Sequence, residues 1–209
     1  MKRLLTTLLS LTAIVLIMAG CGRASQGNDE QSGAIDTISY GFGVNMGMAT
    51  NRTWAYCDLD MEQVRRGIKE YLEAENKESV AFLNSMEHLK AFTKSGRVRR
   101  YMSIRARHQS YEGDTPDTLP QLPELYDTYN TREDISYCLG VLIGTNIVHF
   151  YETPDTRWVL DGFNDGIQII DPQTKESMIK IPTSEYNEAF LRYTNTKAVK
   201  KQAATTETK

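Results

Sequence analysis

The sequence predicts an all-α fold made of two related helical half-domains. The first observation is an internal repeat, because residues 38–47 and 135–144 are identical at six of ten positions at a spacing of 97 residues. A second block, 64–68, is matched by 163–167 at a spacing of 99 residues. These spacings far exceed the unit of a stacked repeat array, so we interpret the repeat as two half-domains. The identical positions are Ile38/Ile135, Ser39/Ser136, Tyr40/Tyr137, Gly43/Gly140, Val44/Val141 and Gly47/Gly144.

The second observation is that a capping residue precedes each repeated segment. Asp36 is a candidate N-cap for a first helix from Thr37 to about Asn51. Thr131, with Asp134 three residues later, gives the second half a similar start. Both halves are therefore expected to begin with a helix.

A second helix is expected in each half. Asp60 is the candidate cap of a helix over 61–73, which has apolar residues at helical spacing. The corresponding segment of the second half is 156–170, and Pro172 is placed to end it.

The halves differ after this point. The first continues with a long amphipathic segment, about 77–109, in which Gly96 is a candidate break. The second has only a short helix, about 184–194. The apolar stripe of the long segment is formed by Val80, Leu83, Met86 and Phe92.

The repeated glycines lie four residues apart, so each pair occupies one face of its helix. A glycine in a helix interior costs about 1 kcal/mol relative to alanine, and this cost favours a packing role in which another backbone approaches closely. A tyrosine one turn earlier supplies a large residue beside each smooth face. The candidate packing or interaction residues are Tyr40, Gly43, Gly47, Tyr137, Gly140 and Gly144.

The N-terminus predicts export and lipid anchoring. Lys2 and Arg3 precede an apolar run that ends in Ala19-Gly20-Cys21, which resembles a bacterial lipobox. We expect cleavage before Cys21, lipid attachment to its thiol, and a position in the bacterial cell envelope, at the outer membrane and facing the periplasm or the surface. The mature chain would carry 22 basic and 27 acidic residues, a charge of −5 that argues against nucleic acid as a partner.

The organisation expected from composition has six parts. They are a lipoprotein signal peptide (1–20), a polar flexible tether (21–35), the first half (36–110), a Pro-rich linker (111–130), the second half (131–195) and a disordered tail (196–209).

The sequence offers little support for catalysis. His88, His108 and His149 are scattered without metal-ligand spacing, and no phosphate-binding glycine loop is present, so no metal, cofactor or catalytic residue is predicted. Cys57 and Cys138 could form one disulfide, but two free thiols are the favoured interpretation.

One segment reverses the acidic balance of the chain. From Lys94 to His108 there are six basic residues besides the histidine and no acid. The segment could contact acidic partners or anionic lipid head groups. Alternatively, it is a solvated face paired with acids such as Glu112 or Asp114. The candidate patch consists of Arg97, Arg99, Arg100, Arg105 and Arg107.

The Ile-Ser-Tyr-x-x-Gly-x-x-x-Gly block, Leu59-Asp60 and the later Gly67 or Gly166 together resemble one known module. This is the helical N-terminal domain of bacterial FKBP-type peptidyl-prolyl isomerases, which makes those enzymes dimeric. The resemblance covers about 36–74 and 134–195. Only 196–209 follow it here, so no isomerase residue is carried over.

Two copies in one chain imply an internal pseudo-dimer with a pseudo-twofold helical core and the glycine faces near its axis. The alternative is that the glycines pack only against their own second helix.

Two main functions follow from this resemblance. The first is a non-catalytic, lipid-anchored folding factor that holds unfolded clients, with Met46, Met48, Met61 and Met86 as an adaptable surface. The second is an interaction or dimerisation subunit that pairs with itself, with full-length isomerases or with another envelope protein. A cryptic prolyl isomerase is a third and weaker hypothesis, because fold analogy alone does not transfer a site.

Overall fold

The structure, a computed structural model, describes residues 36–110 and 120–206, with side chains described up to Ala198. In these ranges the chain is all-α and contains no strand, as the sequence predicts. The signal peptide, the tether with Cys21 and the first part of the linker lie outside the described residues. The helices are α1 (Thr37–Thr53), α2 (Met61–Glu73), α3 (Val80–Lys94), α4 (Gly96–Gln109), α5 (Arg132–Phe150), α6 (Thr156–Ile167), α7 (Lys175–Met178, after a 3-10 turn at Pro172–Thr174) and α8 (Thr183–Thr206). None of these helices is long and apolar enough to cross a bilayer.

The predicted helix starts are confirmed by their caps. The Asp36 carboxylate accepts the backbone N–H groups of Ile38 and Ser39 at the start of α1. Asp60 caps α2 in the same way, and the Thr131 hydroxyl accepts the N–H of Asp134 at the start of α5. These side chains satisfy donors that the first turn of a helix leaves without partners.

The two halves exchange their helices. The first helix of the first half, α1, packs along α6 of the second half, and α5 packs along α2. Two later helices also pack on the first helix of the opposite half. Helix α3 packs on α5, and α8 packs on α1. The result is two three-helix groups, α1/α6/α8 and α5/α2/α3, each assembled from both halves.

The contact between the two groups has the symmetry of the repeat. Helices α2 and α6 touch each other, and Arg65 Nη1 lies 3.5 Å from Asn164 Oδ1. Arg65 and Asn164 occupy equivalent repeat positions, and equivalent residues meet where a twofold axis passes. The helix pairing is therefore that of a pseudo-twofold helical core.

The glycine faces lie inside this core. A Cβ on Gly43 would meet the backbone of Val159 and Phe163, and one on Gly140 would meet the backbone of Val64 and Gly67. Each of these glycines faces the second helix of the opposite half, so packing against the glycine's own second helix is ruled out. Close backbone approach is the reason for glycine at these positions.

Several helix boundaries differ from those expected. Helix α6 ends at Ile167, three residues early, and Pro172 begins the 3-10 turn instead of ending the helix. The long segment breaks at Ser95 and not at Gly96, because the Ser95 hydroxyl accepts the N–H of Val98 and caps α4.

The C-terminal segment departs furthest from expectation. The tail expected to be disordered from residue 196 is instead helical as far as Thr206. Its Ala, Lys and Gln residues favour helix, and it contains no glycine or proline to end one.

Candidate interaction surface

The repeated serine joins each first helix to the opposite second helix. Ser39 Oγ accepts the backbone N–H of Asp155 at 2.8 Å and donates to the Asp36 carboxylate at 2.7 Å. Ser136 Oγ accepts the N–H of Asp60 at 2.9 Å. Asp155 and Asp60 are the N-cap residues of α6 and α2, and both serines are fully buried. The serine is identical in both copies of the repeat, and this identity is the sequence signal for a role that the repeat alone does not define.

The repeated tyrosines also bridge the halves. The Tyr40 hydroxyl donates to Asp165 Oδ2 at 2.7 Å and accepts the backbone N–H of Lys180 at 2.7 Å. Burial, together with the neighbouring Asp165 carboxylate, raises the pKa of Tyr40. The Tyr137 hydroxyl donates to Glu70 at 2.8 Å, and burial is the main cause that raises the pKa of Tyr137 to about 12. Both tyrosines are thus protonated at neutral pH. Their hydroxyl groups form hydrogen bonds between the two halves, beside the glycines.

Both glycine faces are covered by helices of the same chain. Gly162, which is not among the glycines predicted from the repeat, also belongs to these interfaces, since a Cβ there would meet the backbone of Tyr40 and Val44. It aligns with Gln63 of the first half, so the repeat gave no signal for it. At Gly144 the neighbour is the side chain of Tyr71, which makes that contact the most adaptable of the set. Because these faces meet each other, they are not presented to another chain.

Cys57 and Cys138, the two cysteines in the described ranges, are free and buried. Burial raises the pKa of the Cys57 thiol to about 11, against the hydrogen bonds that it shares with Tyr56 and Tyr126. Burial likewise raises the pKa of the Cys138 thiol. Both are therefore thiols, not nucleophilic thiolates, at neutral pH.

A shallow groove runs between α3 and the first half of α5. It has a volume of about 330 Å³. One of its residues, His88, is held by Asn130, whose Oδ1 lies 3.2 Å from His88 Nε2. Nowhere in the described ranges do three or more His, Cys, Asp or Glu side chains converge as metal ligands. The groove is lined by Asn84, Ser85, His88, Asp134, Tyr137 and Cys138.

Exposed apolar residues lie on α3, the helix that forms one wall of the groove. Val80 is 71% exposed and Leu83 is 48% exposed, although the sequence placed them on the buried stripe. The buried face of α3 is formed instead by Phe82, Leu89 and Phe92, which pack into the main core.

The methionines expected to form an adaptable surface lie elsewhere. Met46, Met61 and Met86 are partly buried against the main core, and Met48 packs on a second cluster around Tyr40. These four methionines therefore do not form an exposed apolar surface, and the exposed methionines among the described residues are Met102 and Met178.

The candidate arginine patch divides into two sets. Arg97 donates to the backbone carbonyls of Glu124 and Tyr126, and Arg105 donates to that of Ala55. These two side chains fix α4 to the described part of the linker and to the loop after α1. Arg99, Arg100 and Arg107 are exposed on the outer face of α4 and form no ion pair with a described residue.

Comparison with known proteins adds no relative. No family model, no curated protein and no solved structure matches this chain.

Proposed function

We propose that this chain is a lipid-anchored, non-catalytic helical module of the bacterial envelope that holds unfolded or extended client proteins. The observation that carries the proposal is the closure of the core within one chain. Both glycine faces are filled by the opposite half, and α3, which forms one wall of a groove, carries two exposed apolar side chains.

The groove and the apolar residues of α3 suit an extended client. Val80 and Leu83 offer contacts that do not depend on a client's sequence, and the neighbouring groove presents hydroxyl, amide and imidazole groups to a backbone. Contiguous exposed apolar residues mark protein-binding surfaces, and Val80 and Leu83 are neighbours at i,i+3 on α3.

The alternative function, pairing with a full-length isomerase through the same module, is less favoured. Such pairing would have to use the glycine faces, and these are buried between α1 and α6 and between α5 and α2. Exchange with a second chain would first require the opening of the chain's own core. A partner that binds α3 or α8 would need no such opening, so the two modes predict different contact sites.

The test is suppression of client aggregation, measured by light scattering. Acylated protein in detergent is added to a chemically denatured client as the denaturant is diluted. We expect the wild type to reduce scattering at near-equimolar ratio and Val80→Ser/Leu83→Ser to lose most of the effect. The matched control is Ile170→Ser/Leu191→Ser, which makes the same chemical change at two exposed apolar positions away from α3.

Each outcome has a distinct meaning. Loss of suppression in the α3 variant alone supports client holding at this surface. Equal loss in both variants would indicate non-specific adhesion of apolar residues. No suppression by the wild type, even in molar excess, would overturn the proposal.

A further inference from the structure

We propose that the outer face of α4 docks on the anionic phospholipid surface of the membrane that holds the lipid anchor. This inference rests on the anchoring part of the proposed function and adds an orientation to it. The docking residues are Arg99, Arg100 and Arg107, and the exposed Met102 lies at the edge of the same face.

The spacing of these residues places them on one side of the helix. Arg99, Ser103 and Arg107 are four residues apart, and Arg100 lies seven residues before Arg107. Such spacings bring side chains together on one helical face. The opposite face of α4 contains the buried residues Val98 and Ile104. The outward arginines are therefore free of a packing role.

The three outward arginines of this helix form no ion pair with any described residue. Helix α4 contains five arginines and no acid, within a chain of net negative charge. Two described acids of this region are already committed, because Asp127 pairs with Arg97 at 3.2 Å and Asp58 pairs with Arg132 at 3.0 Å. A surface rich in phosphate groups complements the remaining positive face.

Helix α4 is held so that its outer face stays exposed. Besides α3, it is attached mainly to non-helical segments. Arg97 binds the carbonyls of Glu124 and Tyr126, His108 approaches that of Pro120 at 2.9 Å, and Arg105 donates to that of Ala55. These contacts all lie on the inward side, so contact with a membrane would displace none of them.

The length of chain between the anchor and the fold permits this contact. Fourteen residues lie between Cys21 and Asp36, and the fifteen Cα–Cα steps that join these two residues span at most about 50 Å. Arg105 is tied to Ala55 just beyond the end of α1, which is about 25 Å long. The face of α4 is thus within reach of the bilayer that holds Cys21.

The test measures whether α4 lies at the membrane surface. Ser103→Cys places a fluorophore in the centre of the outer face, and the buried Cys57 and Cys138 do not compete for labelling. The acylated protein is reconstituted into vesicles of phosphatidylcholine alone or with phosphatidylglycerol, each carrying a head-group quencher. The reference label is Ser184→Cys, on an exposed residue of the first turn of α8.

We expect quenching of the Ser103 label only in vesicles with phosphatidylglycerol, and its reversal by high salt. Replacement of all three arginines by glutamine should weaken docking roughly 100-fold, since each basic side chain near an anionic surface contributes about fivefold. The control variant, Lys69→Gln/Arg157→Gln/Arg192→Gln, removes the same charge from three exposed positions outside α4 and should leave the quenching unchanged.

Flotation of the same vesicles separates this inference from the proposed function. If the protein floats but the Ser103 label is not quenched, the docking proposal is wrong and the anchor stands. That result is also expected if Glu112 and Asp114 already neutralise the arginines. If the wild type does not float with either lipid mixture, both the anchor and the docking proposal are overturned.

Discussion

Replacement of Gly43 by alanine should destabilise the protein, because the added methyl group meets backbone atoms of the opposite half. An ideal Cβ at this position lies 2.7 Å from the backbone nitrogen of Phe163 and closer still to the carbonyl oxygen of Val159. Ordinary contact begins at 3.4 Å, so the Phe163 contact alone requires α1 and α6 to separate by about 0.7 Å, and the Val159 contact requires more. Neither helix backbone can rotate away as a side chain can.

The size of the effect follows from two opposing contributions. A gap of 0.5–1 Å forfeits about a quarter to a half of the dispersion energy of each affected contact, and overpacking of a core costs about 1–3 kcal/mol. Alanine returns about 1 kcal/mol of helix propensity. We place the overpacking cost at its upper end because only backbone atoms face the methyl group. The expected net loss is about 2 kcal/mol of unfolding free energy.

The assay is urea denaturation followed by far-UV circular dichroism, with two matched glycine variants. Gly96→Ala adds the same methyl group at a helix start with nothing within 4 Å, and it should be neutral or slightly stabilising. Gly144→Ala faces the movable side chain of Tyr71 and should fall between the two. A Gly43→Ala protein as stable as the Gly96→Ala protein would refute the close packing of α1 on α6.

Three further predictions concern the polar contacts between the halves and the buried thiol. Ser39→Ala leaves the N–H of Asp155 without its partner and should cost about 1–3 kcal/mol in urea denaturation, whereas an unchanged midpoint would contradict the link. Tyr40→Phe removes the acceptor for the N–H of Lys180 and should cost a similar amount, and a neutral effect would argue against this bridge. The pKa of Cys57 rises from 9.0 to about 11 on folding, so its contribution to stability is complete below pH 9 and is lost as the pH rises towards 11. Denaturation between pH 8 and 11 should show a shallower decline for Cys57→Ala than for the wild type, and identical slopes would contradict the assignment.

The sequence was sufficient to predict the first two helices of each half and their starts. Asp36, Asp60 and Thr131 cap the helices that they were expected to cap, because capping depends on a few adjacent residues. The repeat likewise predicted a symmetric all-α core. Capping residues lie next to the helices that they cap, and the repeat is visible by comparing the two halves. Both can therefore be found in a single sequence.

The exchange of helices between the halves was harder to predict. Elements that follow each other in a chain are usually neighbours in space, which would place α2 against α1. The structure pairs α1 with α6 instead. A repeat shows that two halves are alike but does not show which half supplies each neighbour. The backbone contact of Gly162, which has no matching glycine in the first half, is visible only in three dimensions.

The candidate surfaces were only partly predictable. The density of arginines in α4 was evident, but their division into an inward and an outward set depends on contacts with Glu124, Tyr126 and Ala55. The exposure of Val80 arises because the buried face of α3 begins at Phe82. Periodicity alone does not distinguish these two registers at the end of a helix.

We propose that the chain, which closes its own core, holds clients on its outer surface. The most direct test of this proposal is in-cell crosslinking of the acylated protein, with a photoreactive amino acid at Leu83, followed by mass spectrometry of the captured proteins. We predict many unrelated envelope proteins crosslinked at this position and few from a matched probe at Leu191. One dominant partner in fixed ratio, captured regardless of probe position, would contradict client holding and would identify the chain as an assembly subunit.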